Sequence, residues 1–89
     1  MKITVKKPTE QEIAEMKQLP VWTCEVSEFD WFYGSQETFL LLEGDVTVTH
    51  AENPAGTSFK AGDLVVMPKG LKCRWLVKKP VKKHYVFES

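Results

Sequence analysis

The sequence is poor in histidine, in paired cysteines and in long apolar runs, and each shortage weighs against a class of function. There are two histidines, His50 and His84, in 89 residues. A transition-metal site wants three or more ligands, preferably with imidazole among them, so a tight metal centre is not favoured. Cys24 and Cys73 stand alone, without the C-x-x-C spacing of zinc or redox sites, which fits a reduced, cytoplasmic setting. The longest apolar runs, Phe39–Leu42 and Leu64–Met67, are far shorter than the ~20 residues that span a bilayer, so no membrane partner is expected. The opening Lys2-Ile3-Thr4-Val5-Lys6-Lys7 does not resemble a secretory leader. Net charge is also absent, at zero, and nothing global draws the chain toward nucleic acid.

What is present is the composition of a small folded domain, with 43% hydrophobic and 11% aromatic residues. A chain of this size builds one core, and a second copy of itself is the cheapest source of further buried area, so a homodimer is expected. The charge is unevenly distributed. Residues 1–50 carry four basic and nine acidic side chains, and residues 51–89 eight basic and three acidic. Strands from the two halves that pair in one barrel would neutralise each other across the sheet. The basic cluster of Lys78, Lys79, Lys82, Lys83 and His84 is read as a solvated face, and His50 and His84 as surface imidazoles.

Thr9-Glu10-Gln11-Glu12 has the form of a capping box, which predicts a short helix that Pro20 ends, with Ile13 and Met16 on its apolar side. Two apolar positions suit a packing lid rather than a recognition helix. From Val21 the pattern changes to period two, with β-branched and aromatic residues between closely spaced turn signals. These signals are Tyr33-Gly34-Ser35, Glu43-Gly44-Asp45, Asn53-Pro54-Ala55-Gly56, Ala61-Gly62-Asp63, Pro68-Lys69-Gly70 and Lys79-Pro80. Strands are predicted at residues 22–26, 29–33, 37–42, 46–50, 64–67, 73–77 and 81–87. The prediction is a single all-β domain over residues 1–89, with a helical or extended segment at 1–20 and a barrel from 21 to 89.

Two spacings sharpen this reading. Glu37 precedes Gly44 by six intervening residues, and Gly62-x5-Pro68-Lys69-Gly70 is followed after two more by Cys73. These resemble the two motifs of the cupins. With Trp22-Thr23-Cys24 upstream and Trp75 downstream, the chain is similar to the small cupin family that includes ureidoglycine aminohydrolase domains. That resemblance implies a small jelly-roll, or double-stranded β-helix, barrel acting on a small polar metabolite as a hydrolase or isomerase.

The departures from the cupin pattern carry the functional expectation. Where typical cupins place H-x-H, this chain has Trp31 and Tyr33, and Cys73 stands at the third histidine position. Of the usual ligands Glu37 alone is kept, so Glu37 and Cys73 are weak metal candidates; a divalent metal is possible but not favoured, and no other cofactor is expected. The alternation places Trp31 and Tyr33, Phe39 and Leu41, Val46 and Val48, and Cys73, Trp75 and Val77 toward the interior. Either these side chains plug the barrel, with the Tyr33 hydroxyl satisfying Glu37, or they line a pocket. In the pocket reading Trp31, Phe39 and Trp75 stack on a small planar ligand, and Glu37, Tyr33 and Cys73 are the candidate catalytic groups. A desolvated Glu37 can serve as general acid or base without a metal, while Cys73 has no histidine beside it in sequence and reads more readily as a buried apolar thiol than as a nucleophile. The alternatives to an enzyme are a non-catalytic binding module and a structural dimeric module.

Overall fold

A computed structural model describes residues 1–88. The elements in order are β1 (Thr4–Lys6), α1 (Glu10–Met16), β2 (Val21–Cys24), β3 (Ser27–Phe32), β4 (Gln36–His50), β5 (Asn53–Lys60), β6 (Leu64–Met67) and β7 (Lys72–Glu88). All pairings are antiparallel, in the order β1-β6-β4-β7-β2, with β3 also on β7 and β5 also on β4.

The architecture rests on two long strands. β4 and β7, of 15 and 17 residues, pair from Gln36↔Glu88 to Thr49↔Arg74. The first half of β4 holds β6 on its other edge and the second half holds β5. β7 does the same in reverse, with β3 on its first half and β2 on its second. Both long strands therefore belong to both halves of an all-β barrel, and side chains from the two halves meet inside it. Phe39 from early β4 and Phe59 from β5 lie 5.4 Å apart edge to face, and Trp75 touches both.

The sequence predicts four strands where the structure has these two. Glu43-Gly44-Asp45 and Lys79-Pro80 bend the strands instead of ending them, and register shifts between Leu41 and Val46 absorb the bend. Gly44 has φ of 127°, and a Cβ there would sit 2.9 Å from Val81 Cγ2 and 3.2 Å from Val81 Cα. Only glycine meets both demands at this corner. Asn53-Pro54-Ala55-Gly56, expected as a turn, is instead the start of β5, because the chain reverses earlier and His50 pairs with Asn53. Residues 1–20 do more than cover the barrel, since β1 extends the sheet along β6.

The helix starts as expected but ends at Met16, with Lys17 as its C-cap, before Pro20 is reached. The Glu12 amide donates to Thr9 Oγ1 at 3.1 Å and the Thr9 amide to Glu12 Oε1 at 2.9 Å, completing the capping box. Met16 is buried against Leu40 and Leu64, with Ile13 packed beside them, so the helix closes one outer face of the sheet. His84 is not the solvated imidazole expected. It is half-buried, and its Nδ1 lies 2.9 Å from the Leu19 carbonyl oxygen, which ties the end of the helical segment to β7. Complementary charges do meet across strands, as where Arg74 on β7 bridges Glu28 and Asp30 on β3. Among the described residues no helix is long and apolar enough to cross a membrane.

Gly44→Ala is expected to destabilise the protein by about 1–3 kcal/mol through backbone strain and the contact with Val81, measured by urea unfolding. Gly34→Ala, where a Cβ meets nothing within 4 Å and φ is not positive, is the comparison and should be nearly neutral.

Candidate functional site

One end of the barrel is open. A cavity of about 240 Å³ enters there, lined by Trp22, Phe29, Trp31, Tyr33, Glu37, Trp75, Lys83, Tyr85 and Phe87. Strand register explains how residues so far apart in sequence converge. Trp22 on β2, Lys83 on β7 and Leu41 on β4 stand abreast on neighbouring strands, and Glu37 and Phe87 do the same four residue pairs further along. From the other half, Phe29 on β3 stacks on Trp75 of β7 at 5.9 Å. Tyr33 is positioned by the Pro68-Lys69-Gly70 turn: the Gly70 amide donates to the Tyr33 carbonyl at 2.6 Å and the Tyr33 amide to the Leu71 carbonyl at 2.9 Å. Gly70, at φ 90°, is the left-handed residue this turn needs.

At the floor lies an ion pair. Lys83 Nζ is 2.8 Å from Glu37 Oε2, and the two side chains are only 6% and 3% exposed. The ammonium also sits 4.2 Å from the Phe39 ring centroid, 4.7 Å from Trp22 and 4.9 Å from Trp75. The negative faces of three rings and one carboxylate thus replace the water that a buried ammonium loses. Burial lowers the Lys83 pKa from the ordinary lysine value, against the opposing pull of Glu37. Burial and then the Glu37 charge raise the pKa of Tyr33. Trp75 Nε1 is buried without a hydrogen-bond partner, which leaves one donor at the site unsatisfied.

The expected site residues are distributed unevenly around this cavity. Glu37, Tyr33, Trp31 and Trp75 line it, whereas Phe39 and Cys73 do not. Phe39 is fully buried and lies beneath the Lys83 ammonium, so it supports the cation instead of offering a stacking face. Trp31 does not fill the interior. It follows the inward alternation of β3, but that strand overhangs the open end and leaves Trp31 half exposed at the rim. Cys73, opposite Trp31 on β3, faces the core with Trp75 and Val77, and burial, with Asp30 nearby, pushes its thiol up to about 11. Glu37 is not a lone carboxylate: besides the expected interaction with Tyr33 it has an ion-pair partner in Lys83.

Lys83 is the residue sequence reasoning misplaced, reading it as part of a solvated basic cluster. The available signal was its spacing. Val81, Lys83, Tyr85 and Phe87 alternate along one face of β7, and a lysine at that period faces inward with them. Trp22, Phe29, Tyr85 and Phe87 were likewise not expected at the site. The residues present do not fit the metal of typical cupins. Among the described residues no three His, Cys, Asp or Glu side chains cluster closely enough to hold an ion, and the carboxylate kept from the ligand set is already engaged by an ammonium.

Two outcomes follow from this geometry. Glu37→Gln or Lys83→Met alone should lower stability by about 3–5 kcal/mol, because each leaves a buried partner uncompensated, while Glu37→Leu/Lys83→Met together should recover most of that loss in chemical denaturation. In a Cys24→Ala background, iodoacetamide at pH 8 should alkylate Cys73 in the folded protein about a hundredfold more slowly than in urea, since the thiolate forms only as pH climbs toward 11. Mass spectrometry reads the difference.

The EutQ-like cupin domain family matches residues 11–85. Among solved structures, a DUF861 family protein from Thermotoga maritima is 44% identical, superposes with a TM-score of 0.91 and is covered completely by 98% of this chain. A putative ethanolamine utilization protein Q from Salmonella typhimurium LT2 is 27% identical with a TM-score of 0.66, over 75% of this chain and 53% of that one. The EutQ protein of Clostridium difficile is 22% identical with a TM-score of 0.67, over 75% and 52%, a likeness of fold alone. The chain thus spans about half the length of these two EutQ structures. No curated protein matches it. The cupin part of the resemblance read from the sequence is upheld, and these matches do not single out ureidoglycine aminohydrolase domains within it. With 11–85 matched in one stretch and a relative overlapping it end to end, the chain belongs to the EutQ-like cupin domain family.

Proposed function

We propose that this cupin binds one small, planar, polar but uncharged molecule in the open end of its barrel. The observation that carries this reading is the cavity itself, with aromatic walls over a buried Glu37–Lys83 pair. Stacking on Trp31, Trp22 or Tyr85 supplies apolar contact, and the pair offers a donor and an acceptor side by side to fix orientation. The pair sums to zero charge and no other charged side chain among the described residues lines the cavity, so a neutral ligand suits it better than an ion. A cavity of about 240 Å³ suits a small metabolite.

Hydrolysis of the kind ureidoglycine aminohydrolase domains perform would require Glu37 to leave Lys83 and act as a free base. The geometry favours binding over that chemistry. A second reading is favoured by the exposed rim. Trp22, Trp31 and Phe87 are 36%, 50% and 48% exposed around the mouth, and another copy of the chain covering them would make a dimeric module instead.

All three tryptophans of the chain line the cavity, so ligand entry should quench intrinsic fluorescence. Nicotinamide, uracil and hydantoin are suitable first probes. Saturable quenching that persists in EDTA, and that weakens about tenfold in Trp31→Ala without loss of folding, is the expected result. No quenching by any probe, together with a dimer in sedimentation that Trp31→Ala dissociates, would replace the binding reading with the structural one.

A further inference from the structure

Of the chain's lysines, Lys83 is the one that is buried; the others are exposed. Its partner, Glu37, is buried as well and lines a cavity open to solvent. Neither fact is needed to hold the barrel together. Apolar side chains at positions 37 and 83 together would fill the same space without the cost of desolvating two charges, and a lysine that served only to neutralise Glu37 would have no reason to face the opening.

Resting on the binding reading above, we infer that Lys83 is a nucleophile that captures a small uncharged aldehyde or ketone as an imine, with Glu37 carrying the protons. The chemistry closes within the pair. The Lys83 ammonium passes a proton to the Glu37 carboxylate, 2.8 Å away, leaving an amine and a carboxylic acid. The nitrogen lone pair attacks the carbonyl carbon, the carbonyl π electrons move to oxygen, and one nitrogen proton follows to that oxygen, giving a neutral carbinolamine. Glu37 then returns its proton to the hydroxyl, water leaves, and the nitrogen lone pair forms the C=N bond. The product is a protonated imine beside a carboxylate, so the site ends with the same charge pattern with which it began. The Phe39, Trp22 and Trp75 rings that hold the ammonium hold the iminium equally well.

Two features assist this course. Desolvation favours the neutral amine, the form that attacks, and burial lowers the Lys83 pKa accordingly. Aromatic walls then shelter the imine from hydrolysis. Among the described residues no further charged side chain lines the cavity, which selects an uncharged carbonyl compound over a keto acid.

The test is reductive trapping on the intact chain. Folded protein at pH 7 is incubated with propanal or benzaldehyde and sodium cyanoborohydride, and every lysine is followed by peptide mass spectrometry. Lys83 should be alkylated at least tenfold faster than the exposed lysines, pyruvate should label it less, and Glu37→Gln should slow the labelling. Labelling of Lys83 at or below the rate of the exposed lysines overturns the inference. That comparison lies within the wild-type protein, so it stands even where a variant fails to fold. Benzyl alcohol separates the two readings. Saturable fluorescence quenching by benzyl alcohol without an adduct from benzaldehyde ends the imine inference and leaves the binding reading in place, and the absence of both ends both.

Discussion

The pairing of β4 with β7 is the constraint on which everything else depends. Because these strands run through both halves of the barrel, one ladder, shifted in register between Leu41 and Val46, joins Glu37↔Phe87 at one level to Val48↔Trp75 at another. The bend at Gly44 turns the ladder, and it brings Trp75 from one half against Phe39 from the other. Without that turn the aromatic residues would lie on an open sheet, and Glu37 and Lys83 would face water on a flat surface, where an ion pair contributes little. The fold makes the site by bending two strands over each other.

The site shows what has taken the place of metal ligation. In the pattern the sequence resembles, a cation is held by histidines and a glutamate. Here the glutamate remains, the histidine positions carry Trp31, Tyr33 and Cys73, and the cation is the chain's own Lys83 ammonium. Indole and phenyl faces do for an organic cation what imidazoles do for a metal, since both supply electron density in a place without water. The ammonium is covalently tethered and carries exchangeable protons, so the chemistry open to the site is that of an amine and a carboxylate.

Membership of the EutQ-like cupin domain family accounts for the barrel, and nothing in that membership assigns a substrate. The matched region takes in the whole of β2 through β6 and most of β7, yet the rim residue Phe87 lies just beyond it. Relatives about twice as long share the barrel alone. What distinguishes this barrel at its mouth is the set of side chains there, Trp22, Trp31, Tyr85 and Phe87, drawn from three strands.

The sequence by itself determined the all-β class, the capped helix, the turn at Pro68-Lys69-Gly70 and the inward faces of β4 and early β7, because period-two alternation and turn chemistry are local. It also placed Glu37, Tyr33, Trp31 and Trp75 in one constellation through motif spacing. It did not distinguish a bend from a strand end at Gly44 and Lys79-Pro80, since glycine and proline serve both and only the facing strand decides. Nor did it separate Phe39 and Cys73, sealed in the core, from Trp31 at the rim, as all three obey the same alternation and differ only in distance from the open end. Lys83 was obscured by the lysines around it. Tertiary structure alone paired it with Glu37 across 46 residues of chain, because a buried charge finds its partner through the register of two strands, and register is not written in either strand alone.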